Sequence, residues 1–584
     1  MTGVDAGRHR GAHARTFGRA AQSADGVPGT EGATGAPGTR GAASPGGASA
    51  EPSLAGRLLV PVIPGVLGLI TGLYHLAVPP LWRDEAATKA IASRSVGQIL
   101  ATMPHDDVVH GVYYLVAHVF IGLFGSSNGA LRLPSAIAAA AACAVTALIA
   151  QRLAVAGGRL SAALTGVTAG VVLALLPAMI RYAQEARSYA IVSMLAAIAT
   201  YLLLRAVDDG GRGWWAGYGA AVFLTGLFNI FGLLIVVAHL LTLLATGWGA
   251  AGGRNAYYGS DFASPAGVRP RGRRLLGVPV GWLIAGLAAV VLLVPLVALA
   301  YAQRDALSWM TSSTSIGRNT VALAHFWAGS PGLVWPVFGL AVLGVVASLV
   351  AGPRSLSPAT VALPWLVVPP AILLAVSTTH PVYDQRYVEF CLPGLAICVA
   401  AGISWLWRLA ALALRRPPAR GALGWLAVLP AVAAAVALAV ALQPADGVVR
   451  QPSYRPDDLE HEAQIITANS KPGDIVFFIP INDRIVSMPF PAPWQKLRDI
   501  ALAESPVSSD TLYGTDVSPA ELLRRFTHVS RVWVVSSSEV PEATYLASAQ
   551  ATPLDREEFA LVGAMRQVRR WRDGDTELTL YAAR

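Results

Sequence analysis

LWRDEAAT (Leu81–Thr88), HDDVVHGVYYLVAHVFIGLFG (His105–Gly125) and ALRLPS (Ala130–Ser135) make up the stretch around which this chain is organised. An apolar run ends at Pro79, and a charged cluster of Arg83, Asp84 and Glu85 follows at once. Charge at the mouth of a membrane span is costly to place, which makes such a cluster a functional-site candidate. A plainer reading stays open beside it: Asp84 caps a helix over Glu85–Ser93, and Glu85 complements the helix dipole.

Outward from this stretch the composition is that of a membrane protein. Of the 584 residues, 54% are hydrophobic and 14% are charged, where soluble domains carry about 25% charged residues. The mean hydropathy is +0.51. The net charge is +9, but the arginines gather at the ends of apolar runs and in short loops. That is how membrane loops are oriented, and it excludes a nucleic-acid surface. Cys143, Cys391 and Cys398 lie in apolar stretches without the spacing of a metal or disulfide framework, and read as core packing.

Residues 1–56 are rich in Gly, Ala, Ser, Thr and Pro and cannot bury enough apolar surface to order themselves. They read as a disordered cytoplasmic tail. Residues 57–442 read as a transmembrane domain. Its first span, Leu58–Val78, is close to the ~20 residues needed to cross the hydrocarbon. Spans follow at Arg132–Leu153, Leu160–Ile180 and Ala190–Leu204, and the run Trp214–Gly247 reads as two spans hinged at Asn229. Others fall at Val278–Ala300, Leu333–Val350, Ala359–Ser377, Phe390–Trp407 and Leu423–Leu442. The tally is about eleven transmembrane helices. Val112–Phe124 is short for a span and reads as an interfacial or partly buried helix.

Arg269, Arg271, Arg273 and Arg274 form the firmest inner-side marker, and Arg152, Arg159, Arg354, Arg408, Arg415, Arg416 and Arg420 fall on the same side. The N-terminus is then cytoplasmic, in a plasma membrane, and the C-terminus extracytoplasmic. Residues 443–584 change to the composition of a small soluble α/β domain. DDLEHEAQIITANS reads as a helix, and IVFFIP, RVWVVSSS and TELTLYAAR read as strands. This domain carries no Gly-rich phosphate loop, zinc spacing or nucleophile arrangement.

The opening stretch resembles the first extracytoplasmic loop of GT-C glycosyltransferases, in the branch of protein O-mannosyltransferases and aminoarabinose transferases. That branch carries an Asp-Glu pair just after its first membrane helix, matched by Asp84-Glu85. An aromatic YYL-type helix follows in the family, and then an RLPS-type start of the next span. Tyr113-Tyr114-Leu115 and Arg132-Leu133-Pro134-Ser135 stand in those places. RYAQEARSYA (Arg181–Ala190) and DQRYVEFCLPGLA (Asp384–Ala396) also fit. Many relatives have His-Pro-Pro before the YYL, whereas this chain reads His110-Gly111-Val112.

The resemblance implies transfer of a sugar, mannose in the first instance, from a polyprenyl-phosphate carrier to an extracytoplasmic acceptor. A lipid phosphate leaves without protonation, so one carboxylate suffices as base for a single inverting displacement. Asp84 matches the family's catalytic aspartate, and Glu85 would orient acceptor or help hold a cation. His110, Tyr113, Glu185 and Arg187 are candidates to contact substrate. Arg386, beside Tyr387, suits the carrier phosphate, and Arg304, Asp305 and Trp309 the acceptor's approach. No motif demands a cofactor; a divalent cation, where one serves, would take Asp84, Asp106 and Asp107 as ligands. Arabinose or an amino sugar, moved onto envelope glycan or lipid, is the alternative within the enzyme class. A transporter or flippase of lipid-linked precursors is a separate class, against which the chain shows no internal repeat of spans. An idle scaffold on the same fold sits poorly with the retained Asp-Glu pair.

Overall fold

Apolar runs of spanning length form helices, because in hydrocarbon a helix satisfies every backbone polar group within its own segment. The computed structural model describes residues 54–154, 157–247, 277–304, 315–351, 356–414 and 429–584. The helices begin with α1 (Leu54–Leu73), then α2 (Arg83–Ala92), α3 (Val96–Thr102) and α4 (Gly111–Phe124) of the first loop. Next come α5 (Asn128–Leu153), α6 (Arg159–Leu175), α7 (Pro177–Ala183), α8 (Tyr189–Asp209), α9 (Arg212–Phe228) and α10 (Leu234–Ala245). After these stand α11 (Gly277–Ala302), α12 (Ile316–Ala328), α13 (Val334–Ala351), α14 (Leu363–Val376), α15 (Leu392–Leu414) and α16 (Leu429–Val449).

Among the described residues, six helical runs, those containing α5, α8, α11, α13, α14 and α15, are long and apolar enough to cross a membrane. A seventh, α6 with α7, is bent by 65° just before Pro177, which has no N–H to continue the ladder. The other four expected spans correspond to α1, α9, α10 and α16, which are short or partly described. Asn229 does break the run it was expected to hinge, its side chain accepting the Phe231 N–H at 3.0 Å. α16 runs on to Val449, past the boundary expected at 442, and α12 lies where no helix was expected. Residues 1–53 of the expected tail, Arg269, Arg271, Arg273, Arg274, Arg354, Arg415, Arg416 and Arg420 lie outside the described residues.

The outward faces of the spans are apolar, as lipid requires: Leu292 is 65% exposed and Val350 83%. Between spans, small residues bring backbones together. α13 crosses α15 at Gly344 and Gly402, where an added Cβ would lie 2.1 Å from the carbonyl oxygens of Cys398 and Leu340 respectively. All three cysteines are free and buried, as core packing requires.

The C-terminal part opens with α17 (Leu459–Asn469). Its strands are β1 (Ile475–Ile479), β2 (Arg498–Asp499), β3 (Leu502–Glu504), β4 (Thr515–Asp516), β5 (Arg531–Ser537), β6 (Arg566–Asp573) and β7 (Thr576–Ala582). Five form one sheet in the order β2-β1-β5-β7-β6, and β3 pairs with β4. Side chains alternate across a strand, and both faces here are buried. Ile475, Phe477 and Ile479 pack with Val532 and Val534 under the domain's own helices. Val476, Phe478, Trp533 and Val535 pack against Ala86, Ala87, Ile91, Ile99 and Tyr114 of the first loop. The loop after α1 and the domain after α16 therefore pack together at one end of the helices.

The α13–α15 crossing yields a direct test. Gly402→Val places side-chain atoms where the Leu340 carbonyl stands, and overpacking of this kind costs roughly 1–3 kcal/mol or more. Its thermal unfolding midpoint in detergent should fall clearly below wild type. Gly339→Val, with nothing within 4 Å of its added Cβ, should not; equal midpoints for both would remove the close crossing.

Candidate active site

The first turn of α2 sends three consecutive side chains in three directions, because an α-helix turns about 100° per residue. Trp82 is the N-cap and makes no side-chain cap bond. Arg83, Asp84 and Glu85 are thus the first three helical residues, and Asp84 is not the cap. Arg83 turns to the C-terminal domain, where it pairs with Asp483, meets Asp457 at 3.4 Å and donates to the Thr576 hydroxyl at 2.9 Å.

Glu85 turns inward and has no exposure. Arg132 grips its carboxylate with two bonds of 2.7 and 2.6 Å, and the Ala186 N–H adds a third at 2.9 Å. The same guanidinium donates to the carbonyls of Leu76, Pro79 and Pro80 at 3.0, 2.8 and 2.9 Å. Glu85 was expected to orient acceptor or hold a cation. The structure places it in a buried pair that ties the first loop to α5 and to the connection before α8, with no face toward an open site.

Asp84 is the member of the trio left facing space, its side chain 27% exposed. Arg386 donates to it at 2.6 Å, and Arg187 stands 3.7 Å from its other oxygen. Burial by itself would raise this carboxyl, but the Arg386 and Arg187 guanidiniums outweigh it and hold Asp84 below the usual carboxylate range. Arg187 also reaches Asp107 at 3.2 Å and the Tyr114 hydroxyl at 3.1 Å, and that hydroxyl donates to Asp107. Asp107 is likewise held low: burial opposes, and the Arg187 guanidinium and the Tyr114 hydroxyl prevail. His110 lies 3.5 Å from the Ser188 hydroxyl and edge-on to Tyr189. Burial, against the pull of Asp107, takes its imidazole down to about 4, so it stands neutral.

Two aromatic surfaces complete the arrangement. The guanidiniums of Arg181 and Arg386 both lie over the Trp82 ring, 5.6 and 5.8 Å from its centre. Tyr387 lies under Arg386 at 5.6 Å and against Phe231. Glu185 is buried and pairs with Arg181 rather than facing Asp84. Burial above all pushes its carboxyl up to about 7. Tyr113, expected to touch substrate, is fully buried and bonds Ser135 at 3.1 Å behind the site. Tyr114, one helical turn after His110, takes the place expected of it.

Asp84, Asp106 and Asp107 do not converge. Asp106 turns away to accept the Leu512 N–H at 2.6 Å, and the other two are neutralised by arginine. Among the described residues no group of three His, Cys, Asp or Glu side chains is arranged to hold a metal ion; the donor set does not fit one, and no step is drawn through a metal. Arg304 lies over the Tyr301 ring at 4.6 Å, while Asp305 and Trp309 are outside the described residues. Residues missed from the sequence are Trp82, Tyr114, Arg132 as the partner of Glu85, and Arg181. A signal existed for Arg132, since an arginine at the start of an apolar span needs a buried partner.

No protein-family model matches the sequence, and no curated protein matches it. Solved structures do match in fold. ArnT from Cupriavidus metallidurans in the apo state aligns with a TM-score of 0.53 at 16% identity, over 90% of this chain and 98% of that one. The same protein bound to undecaprenyl phosphate aligns with a TM-score of 0.54 at 16% identity, with the same coverage. The archaeal oligosaccharyltransferase AglB from Archaeoglobus fulgidus matches more loosely, with a TM-score of 0.48 at 14% identity over 90% of this chain and 74% of that one. The chain thus has the GT-C membrane fold that its first loop led us to expect.

The buried Glu85–Arg132 pair carries its own prediction. Glu85→Gln keeps the shape but leaves Arg132 an uncompensated buried charge, a loss of roughly 3–5 kcal/mol. The variant should unfold at markedly lower temperature than Asp84→Asn, whose site is partly exposed. Equal unfolding midpoints for the two variants would contradict this division of roles.

Proposed function

We propose that this chain is a membrane glycosyltransferase that moves a sugar from a polyprenyl-phosphate carrier to an extracytoplasmic acceptor hydroxyl. The observation that carries the reading is the Asp84–Arg386 pair at 2.6 Å. A partly exposed carboxylate from the first loop meets a guanidinium from a late span, the two groups the reaction needs side by side. The likeness in fold to ArnT, one structure of which holds undecaprenyl phosphate, supports a lipid-phosphate donor. Mannose is the sugar we propose; arabinose or an amino sugar on the same carrier would be revealed by a panel of donors.

In this reading the donor phosphate lies against Arg386, whose planar guanidinium suits two phosphate oxygens. A phosphate there competes with Asp84 for the same cation and so loosens the pair, leaving the carboxylate a better proton acceptor. The acceptor hydroxyl donates to Asp84, and its oxygen attacks the anomeric carbon from the face opposite the phosphate. The new C–O bond forms as the bond to the phosphate oxygen breaks. The proton goes to Asp84 and the electron pair leaves on the phosphate, whose growing charge Arg386 stabilises. Arg187 keeps Asp84 and Asp107 apart in orientation and ionised. Glu85 acts only through the helix it anchors.

Positioned base catalysis contributes about 10²–10⁴-fold, so purified Asp84→Asn should lose at least that much transfer of a polyprenyl-phosphate sugar while remaining folded. Since Asp84 is held low, wild-type rates should stay level from neutral pH down to about 5. Arg386→Lys should keep charge, lose the two-point contact and bind decaprenyl phosphate more weakly. Near-normal transfer by the Asn variant would remove Asp84 as base.

We further propose that the N-terminus is cytoplasmic and the domain after α16 extracytoplasmic, on the strength of the basic loops. Single cysteines in a cysteine-free background, labelled with an impermeant thiol reagent in intact cells, give the check. A cysteine near residue 470 should label and one near residue 260 should not; the reverse pattern would invert the scheme.

A further inference from the structure

Asp106 and Asp107 are neighbours that face opposite ways. The backbone at Asp107 takes the left-handed conformation (φ +52°, ψ +40°), which aspartate adopts more readily than most residues. Asp107 thereby joins Arg187 and Tyr114 at the site, and Asp106 is left to hold Leu512 of the C-terminal domain. A second tie lies alongside: Arg94 donates to the Thr511 carbonyl at 2.8 Å and to the Thr102 hydroxyl at 2.7 Å. From its own domain, Arg484 donates to the Tyr513 carbonyl at 2.8 Å. Three consecutive residues, Thr511 to Tyr513, are thus fastened, two of them to the loop that carries the site.

These ties fix where the Tyr513 ring goes. It packs against the apolar cluster to which Ala87 and Tyr114 belong, one residue beyond the Leu512 N–H that Asp106 holds. It is partly buried, and among the described residues its hydroxyl makes no hydrogen bond. Burial first, and then the nearby charges of Asp107, Asp106 and Asp84, push this phenol upward. The ring thus stands beside the first loop that carries the site, contributed by a different domain.

We propose that Tyr513 is an acceptor-binding residue, and that it seats a neutral sugar ring against Asp84 and Asp107. This rests on the glycosyl-transfer reading above and extends it to the acceptor. A phenol ring offers an apolar face to the C–H side of a sugar, and its free hydroxyl offers a bond to the sugar's edge. Asp84 and Asp107 can only accept, so they match the hydroxyl donors of a polyol. An anionic acceptor would instead bring like charge against the Asp84 and Asp107 carboxylates, which is disfavoured. The C-terminal domain is then a working part of the site as well as its cover.

The test uses the full chain in nanodiscs with radiolabelled decaprenyl-phosphate mannose as donor. Delipidated envelope glycan from cells lacking the protein is titrated as acceptor. Tyr513→Ala should raise the half-saturating glycan concentration by about tenfold, as for loss of an aromatic anchor. Turnover at saturating glycan and the Kd for decaprenyl phosphate should stay near wild type. Tyr513→Phe, which keeps the ring, should fall between the two. Unchanged glycan saturation in Tyr513→Ala, or equal weakening of donor and acceptor, would overturn the proposal. Should the Ala variant misfold, Tyr513→Leu decides by the same readouts. No transfer by the wild-type protein from any donor of the panel would sink the glycosyl-transfer reading itself, and this proposal with it.

Discussion

Glu85 and Arg132 form an ion pair with no solvent exposure on either side chain, and the placement of the first loop follows from it. Charges buried this deeply are tolerated only when every lone pair and proton is used. Here all five guanidinium N–H groups are used, two on the carboxylate and three on backbone carbonyls, and the carboxylate takes one backbone N–H besides. Two of those carbonyls belong to Pro79 and Pro80, in an irregular turn with no helix ladder to satisfy them. The pair therefore closes the end of α1, seats the start of α2 and fixes the segment before α8 in one stroke.

With Glu85 held, the helix geometry leaves its neighbours no choice. One residue earlier, Asp84 must face the gap toward Arg187 and Arg386; two earlier, Arg83 must face the C-terminal domain. The catalytic candidate thus owes its position to an anchor on one side and a clasp on the other. Its electrostatics follow the same plan. A carboxylate that is mostly enclosed stays ionised only beside cations, and two arginines from separate segments meet it. Asp107, Tyr114 and neutral His110 continue the arrangement on the far side of Arg187, so charge in the site is close to balanced before any substrate arrives.

Much of this was legible in the chain itself. The long apolar runs became helices at the places expected, and the C-terminal strands IVFFI, RVWVVSS and TELTLYA are where their apolar residues put them. Asp84, His110, Arg187 and Arg386 come together from three separate segments, as their motifs suggested. Glu85, Tyr113 and Glu185 do not join them. Each stands next in sequence to a residue that faces the site, or close to one; helix rotation turns Glu85 and Tyr113 into the core, and the turn between α7 and α8 does so for Glu185. The motif placed Asp84 and Glu85 together as a pair; the helix separated them. Likewise YYL presented two tyrosines, and only the one a full turn from His110 reaches Asp107.

Read residue by residue, the chain already marks a membrane protein of many spans with a small α/β domain after them, and sets its polar candidates at the first loop. Hydrophobic run length, charge placement and strand alternation are local properties, and they survive being read one residue at a time. Which member of each polar cluster faces the site was decided only by tertiary structure. The pairings of Glu85 with Arg132, Asp84 with Arg386 and Asp106 with Leu512 join residues 47, 302 and 406 positions apart. No local pattern encodes such a partner, because it is chosen by what the packed helices bring within hydrogen-bond distance and by the cost of leaving any buried charge alone.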